Sequence, residues 1–236
     1  MTIQQQLKLL SYSIIELTVI KTKNRKMKML KLFLAAALLM GANNIVFAQQ
    51  AKQISITDRI HEGDIIFQET SGQMSEAIKL ATHSKFSHCG VILKKENKWM
   101  VFEAMSPVEY TPLEKWMERN THCVVRRLKD ADTKITPNVI SAFNNEAKKM
   151  EGKPYDTFFN WSDDKLYCSE LVYKIYNNAL GIKLGTLQQL KDFDLTSSEV
   201  KAQLKETYGE KIPYEENVIS PVSILKDKNL VTVLEQ

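Results

Sequence analysis

The stretch FSHCGVILKKENKWMVFEAM, residues 86–105, carries two apolar runs either side of the polar segment Lys94–Asn97. That layout reads as a β-hairpin. If strands 88–93 and 98–103 are joined by the four-residue loop Lys94–Asn97, Leu93 faces Lys98 and, counting outward, His88 faces Glu103. Directly opposed residues project to one face with Cβ atoms roughly 4.5–5.5 Å apart, so an imidazole and a carboxylate stand side by side. Strand alternation gives Phe86, His88, Gly90 and Ile92 one face and Cys89 the other. Gly90 leaves room beside His88. A carboxylate set among apolar strand residues needs a partner if it is buried. A His88–Glu103 pair serves equally as a structural contact or as a base with its orienting acid.

Further along, DDKLYCSELVYKIYNN (163–178) places Cys168 where a helix begins. Leu171, Ile175 and Ala179 form one apolar stripe and Gly181 ends the helix. Asp163 and Asp164 are read as N-terminal caps. A helix N-terminus carries partial positive charge and unpaired N–H groups, which lower a thiol pKa and can hold an oxyanion. A free cysteine is also among the most commonly buried residues, so packing explains Cys168 as well as nucleophilic chemistry does. His61, His83 and His122 are read as surface or turn residues.

The remaining elements mix strands and helices without a βαβ rhythm. GDIIFQ (63–68), HCVVRRL (122–128) and NLVTVLE (229–235) read as strands. QMSEAIKLAT (73–82) is a helix with Met74, Ala77, Ile78 and Ala81 on one face. PLEKWMERN (112–120) is a short helix opened by proline, and SSEVKAQLKETYG (197–209) a further helix. The segment from Thr136 is a helix with Ile140, Phe143, Ala147 and Met150 inward, stopped by Gly152 and Pro154. The fold class is α+β.

The front of the chain has the layout of a secretory signal. Lysines 26, 28 and 31 precede an apolar run from Leu32 to Met40, and Val46-Phe47-Ala48 suits cleavage after Ala48. Residues 1–48 are assigned to this region, with residues 1–26 upstream of a more plausible start at Met27 or Met29, and 49–236 to a single catalytic domain. Residues 1–48 hold seven Lys/Arg and one Asp/Glu, a net of +6, so with +4 for the whole chain the remaining 188 residues carry 4 − 6 = −2. The basic charge thus belongs to the leader. Neither a nucleic-acid surface nor a membrane span after cleavage is expected, and the product is exported to the periplasm or beyond. Three cysteines, 89, 123 and 168, leave at least one thiol free. No spacing suits zinc, and no metal or cofactor is called for.

GDIIF, SKFSHCGVIL, VFEAM, GKPYD and YCSELVY occur in this order over roughly Ile60–Leu225. The ordered set resembles the circularly permuted papain-fold cysteine amidases of the NlpC-related superfamily, the YiiX-like group. In that group the histidine and acid precede the cysteine, as here. The resemblance implies a mostly antiparallel sheet or small barrel packed against helices, with Cys168 as nucleophile, His88 as base and Glu103 as orienting acid. It also implies that Tyr155 of GKPYD lies near the site, where it helps the substrate or oxyanion or is simply packed. Cys89 stands where an aliphatic residue is commoner, and alternation is expected to point it away from the triad. The implied reaction is hydrolysis of an amide in a cell-wall peptide or N-acyl amino acid through a thioester. A lipid acyltransferase or phospholipase of the same permuted fold, or a non-catalytic module binding a small molecule or peptide, are the alternatives. YCSEL does not match the cysteine motif of the permuted lecithin:retinol acyltransferase group.

Overall fold

The computed structural model describes residues 56–119 and 122–235; the leader assigned to residues 1–48 lies outside the described residues. Strands β1 (Ile65–Gln68), β2 (His88–Lys95), β3 (Lys98–Ala104), β4 (Val108–Pro112), β5 (Cys123–Leu128) and β8 (Leu230–Glu235) form one six-stranded sheet in the order β4-β3-β2-β1-β5-β8. Every pairing in it is antiparallel. β4 and β8 form its edges, so the arrangement is a sheet rather than a closed barrel. Two-residue strands β6 (Gln188–Gln189) and β7 (Asn217–Val218) pair separately.

Helices α1 (Gln73–Thr82), α2 (Leu113–Glu118), α3 (Ala131–Lys134), α4 (Pro137–Met150), α5 (Cys168–Leu180), α6 (Ser198–Tyr208) and α7 (Pro221–Leu225), with a 3₁₀ turn at Leu190–Asp192, are the described helical elements. α4 starts where Thr136 accepts a hydrogen bond from Val139 N–H, with Pro137 in its first turn. α5 stops at Gly181, whose φ of 68° is the left-handed conformation that glycine adopts without strain. The first nine residues of α5, through Tyr176, are buried. The helix is therefore covered around much of its circumference, not along the expected stripe alone.

The sheet separates two apolar clusters. On one side Cys89, Val91 and Leu93 of β2 and Phe102 of β3 pack with Phe143 and Ala147 of α4 and with Cys168, Leu171 and Ile175 of α5. On the other side Ile66, Ile92, Val101, Cys123 and Val125 pack with Leu113 and Trp116 of α2. Cys89 and Cys123 therefore lie on opposite faces, and Cys89 and Cys168 are free thiols. Cys123 Sγ rests 3.8 Å from Met117 Sδ.

The hairpin forms, but with a different turn. Leu93 pairs with Met100 and Lys95 with Lys98, so the loop is the two residues Glu96 and Asn97, not Lys94–Asn97. Their φ values of 52° and 62° are both left-handed, as a tight two-residue hairpin turn of the primed type requires. The pairing is displaced by two residues from the expected one. An even displacement leaves every side chain on its expected face.

Candidate active site

Continued one rung beyond Val91–Phe102, the observed register sets Gly90, not His88, opposite Glu103. A Cβ placed on Gly90 would lie 3.2 Å from Glu103 Cβ, 2.6 Å from Val101 Cγ1 and 2.8 Å from the Phe102 carbonyl oxygen. His88 is then the diagonal neighbour of Glu103, a separation long side chains can bridge. The bare backbone at Gly90 clears the space between them, and His88 Nε2 reaches Glu103 Oε2 at 2.6 Å. The pair forms through a diagonal contact rather than a direct one.

Glu103 sits at the centre of four donors. Oε2 also accepts from Trp116 Nε1–H at 2.9 Å, and Oε1 accepts from Thr111 Oγ1–H at 2.5 Å and Arg119 Nη1–H at 2.7 Å. Gln68, beside His88 across the β1–β2 pair, donates from Nε2 to the Trp116 carbonyl at 3.3 Å and steadies the helix that carries that indole. Burial alone would push the Glu103 carboxyl up, but the hydrogen bond and charge of His88, then Thr111 and Arg119, bring it below its ordinary range. Thr111, Trp116 and Arg119 were not identified from sequence. The need for a partner was legible in the apolar setting of Glu103, but which donors supply it is decided by tertiary packing.

Cys168 opens α5 on the other face of the sheet. The first backbone bond of the helix runs from Leu171 N–H to the Tyr167 carbonyl at 3.0 Å, so the N–H groups of the preceding turn are those a helix leaves free for an anion. Glu170 Oε2 accepts from Tyr167 N–H at 3.3 Å and holds the helix start. Asp163 does not cap the helix. It pairs with Lys174 Nζ at 2.7 Å, and Lys174 also lies 2.8 Å from Glu170 Oε1. The helix begins four residues too late for an aspartate at 163 to reach its first turn.

The Cys168 sulfur lies 4.0 Å from the Ser87 carbonyl oxygen, the backbone immediately before His88. Ser87 Oγ is tied to Thr70 Oγ1 at 2.6 Å and through it to Ser75 at the start of α1. Since Nε2 of His88 is taken by Glu103, the ring's other nitrogen, Nδ1, is the one left to face Cys168. Burial works to lower the His88 pKa, but hydrogen bonds and charges from Cys168 and Glu103 outweigh it and raise it to about 10. The Cys89 hydrogen bond, followed by the hydrogen bond and charge of His88, holds the Cys168 thiol well below its ordinary value against burial. Both shifts act in the direction of a thiolate facing an imidazolium. All three groups are sequestered, with 3%, 7% and 0% exposure for Cys168, His88 and Glu103.

The expectation that Cys89 points away from this cluster is corrected. Alternation holds, and Cys89 does face opposite to Gly90 and Ile92. But the opposite face is the one α5 covers, so its thiol lies in the same buried cluster as Cys168 and the two shift each other's pKa. Burial, the largest cause, keeps the Cys89 thiol itself well above its ordinary pKa. Tyr155 pairs with Leu166 in an isolated parallel bridge just before α5 and packs against the same cluster. Burial, then the charges of Cys168 and Cys89, raise its hydroxyl well above the ordinary range. His61 and His83 are exposed as expected, whereas His122 is half-buried and stacks on Phe86 with ring centroids 5.5 Å apart.

A cysteine at the start of a buried helix, with a histidine and acid on an antiparallel sheet earlier in the chain, is the arrangement of a permuted papain-like cysteine hydrolase. The chain belongs to that class: the family described as "Permuted papain-like amidase enzyme, YaeF/YiiX, C92 family" matches residues 59–234. It is an enzyme of the cysteine amidase and peptidase type. Among its relatives is the uncharacterized protein YiiX of Escherichia coli strain K12, 46% identical over 177 residues, 74% of this chain and 86% of the relative. The crystal structure of metalloprotein YiiX from Escherichia coli O157:H7 superposes with a TM-score of 0.72 at 44% identity, covering 75% of this chain and 98% of that one. Among the described residues of the present chain, no group of three or more His, Cys, Asp and Glu side chains could hold a metal ion. No helix among them is long and apolar enough to cross a membrane.

Proposed function

We propose that the protein is an exported amidase in which Cys168 attacks the carbonyl of an amide, His88 moves the proton and Glu103 orients and stabilises the imidazolium. The thiolate adds to the carbonyl carbon, and the oxyanion is received by N–H groups at the start of α5. His88, protonated at Nδ1, gives its proton to the departing amine, leaving a thioester on Cys168. Neutral His88 then takes a proton from water, which attacks the thioester and releases the acid. Tyr155, packed against the same cluster as Cys168, is assigned to the approach of the substrate.

The observation that carries this reading is the 2.6 Å Nε2–Oε2 bond between His88 and Glu103, with the Cys168 sulfur 4.0 Å from the backbone carbonyl of the residue just before His88. The substrate is an amide in a cell-wall peptide or an N-acyl amino acid. One observation also favours an acyl-lipid reading. An apolar pocket of about 100 Å³ between α1 and α6 is lined by Tyr167 and Ser169, the two neighbours of Cys168, together with Met74, Ile78 and Leu204. It suits an acyl chain and keeps the phospholipase alternative in the test. The decisive experiment incubates the protein with muropeptides, N-acyl amino acids and phospholipids and follows cleavage by mass spectrometry. Iodoacetamide labelling runs in parallel. Amide cleavage with labelling of Cys168 faster than free cysteine supports the reading. Ester cleavage alone favours the lipid enzyme, and slow labelling with no cleavage discards the hydrolytic site.

A further inference from the structure

The second thiol at the site is not used by the hydrolytic steps. Cys89 and Cys168 lie in one buried cluster on the same face of the sheet, one on a central strand and the other on the helix packed against it. The Cys168 sulfur lies 4.0 Å from the carbonyl oxygen of Ser87, two residues before Cys89, and each of the two thiols shifts the other's pKa. Cys123 is separated from both by the sheet. We propose that Cys89 is a resolving thiol: a hydroperoxide oxidises Cys168, and Cys89 closes a Cys89–Cys168 disulfide that switches the enzyme off reversibly. This inference rests on reading Cys168 as the activated nucleophile.

The chemistry closes with one oxidant. The Cys168 thiolate attacks the terminal oxygen of ROOH, the O–O bond breaks, and Cys168 becomes a sulfenic acid. The departing RO⁻ takes the proton from imidazolium His88 and leaves as ROH. Cys89 sulfur then attacks the Cys168 sulfur. The S–O bond breaks, the Cys89 proton joins the departing hydroxyl, and water is released. In sum, two thiols and one hydroperoxide give one disulfide, one alcohol and one water. The shielding of Cys168 restricts the oxidant to a small hydroperoxide. Without a neighbouring thiol the sulfenic acid would go on to the sulfinic state, which does not return to a thiol with ordinary reductants. A disulfide returns both thiols on exchange with a dithiol.

The test uses the whole folded protein and three measurements. First, iodoacetamide labelling at neutral pH establishes that Cys168 is activated. Second, the protein is treated with one equivalent of hydrogen peroxide and digested with trypsin without reduction. Cys89 and Cys168 fall in separate peptides, Phe86–Lys94 and Leu166–Lys174, and Cys123 in a third. Third, labelling is repeated before and after dithiothreitol. We expect the two named peptides to appear cross-linked, two hydrogens lighter than their sum, with labelling of Cys168 down at least tenfold and restored by dithiothreitol. Cys89→Ala and Cys89→Ser, whichever retains the native circular dichroism spectrum, should instead accumulate sulfinic acid on Cys168 and fail to recover. Fast labelling with no cross-link, or a cross-link through Cys123, overturns the resolving role and leaves the hydrolytic reading intact. Slow labelling with no cross-link overturns both.

Discussion

Replacing Glu103 by glutamine tests the acid in a way the geometry makes quantitative. Every contact to the carboxylate comes from a donor: His88 and Trp116 on Oε2, Thr111 and Arg119 on Oε1. A glutamine must point its NH₂ at one of these pairs. Facing Trp116 would strand a buried indole N–H that can only donate. Facing Thr111 and Arg119 costs less, because the threonine hydroxyl can turn to accept and Arg119, at 34% side-chain exposure, can reach water. The amide therefore keeps its carbonyl on His88 and Trp116, preserving the ring's position while removing the negative charge. Loss of the charged partner from the imidazolium hydrogen bond is worth about 1.5–3 kcal/mol, or roughly tenfold to a hundredfold in rate. That is less than the about 10⁴ lost when the acid of a Ser-His-Asp triad is replaced, because a thiolate needs less help. The unfolding free energy should fall by about 1–3 kcal/mol, from the donor left facing NH₂. The assays are urea unfolding followed by circular dichroism, turnover on the identified substrate, and the pH profile of iodoacetamide labelling, whose acid limb should move upward. A folded Glu103→Gln protein with wild-type turnover and an unmoved labelling profile would refute the assignment of Glu103 to the imidazolium.

Cys168→Ala and Cys168→Ser should abolish turnover while costing only about 1 kcal/mol of stability, and wild-type turnover in either would remove Cys168 as the nucleophile. Gly90→Ala should lower unfolding stability by about 1–3 kcal/mol and disturb His88–Glu103, since its methyl would meet Val101 at 2.6 Å and the Phe102 carbonyl at 2.8 Å. An unaltered melting curve would contradict the register that sets Gly90 opposite Glu103. Burial raises the Glu170 carboxyl to about 7 from 4.5, despite its contacts with Lys174. The folded state therefore binds the extra proton, and this contribution to stability, complete below about pH 4.5, is lost as pH rises through about 7. Melting temperatures of Glu170→Gln and wild type should diverge across that window, and parallel curves would show that Glu170 titrates normally.

Local signals in the sequence carried as far as local physics reaches. The 3–4 spacing of Phe143, Ala147 and Met150, Pro137 at the head of α4 and Gly181 after α5 each act within a few residues, so these helices could be read directly. VEYTP carries little strand signal of its own: proline stands at both 107 and 112, the run has only five residues, and it gains its ladder by lying along β3 at the sheet edge. The hairpin count failed at KKENKW because Glu-Asn lacks the glycine that usually announces a two-residue turn. Yet the error was even, so His88 and Glu103 kept a common face. An odd slip would have placed the carboxylate in the other cluster.

What alternation could not supply was which helix covers which face, and the site depends on that. Glu103 and its donors lie on the α2 side of the sheet and Cys168 on the α5 side. Groups on opposite faces of a central strand are divided by its backbone along most of its length. His88 escapes that division because it is the first residue of β2, where the ladder ends and one ring can present Nε2 to Glu103 and its other edge to the thiol of Cys168. The same placement explains why Cys89, one residue further in, reaches only the α5 side. It shares the nucleophile's surroundings without access to the acid. Moving the histidine inward by one residue would therefore trade one partner for the other. The end of the strand is where an imidazole can couple the two faces.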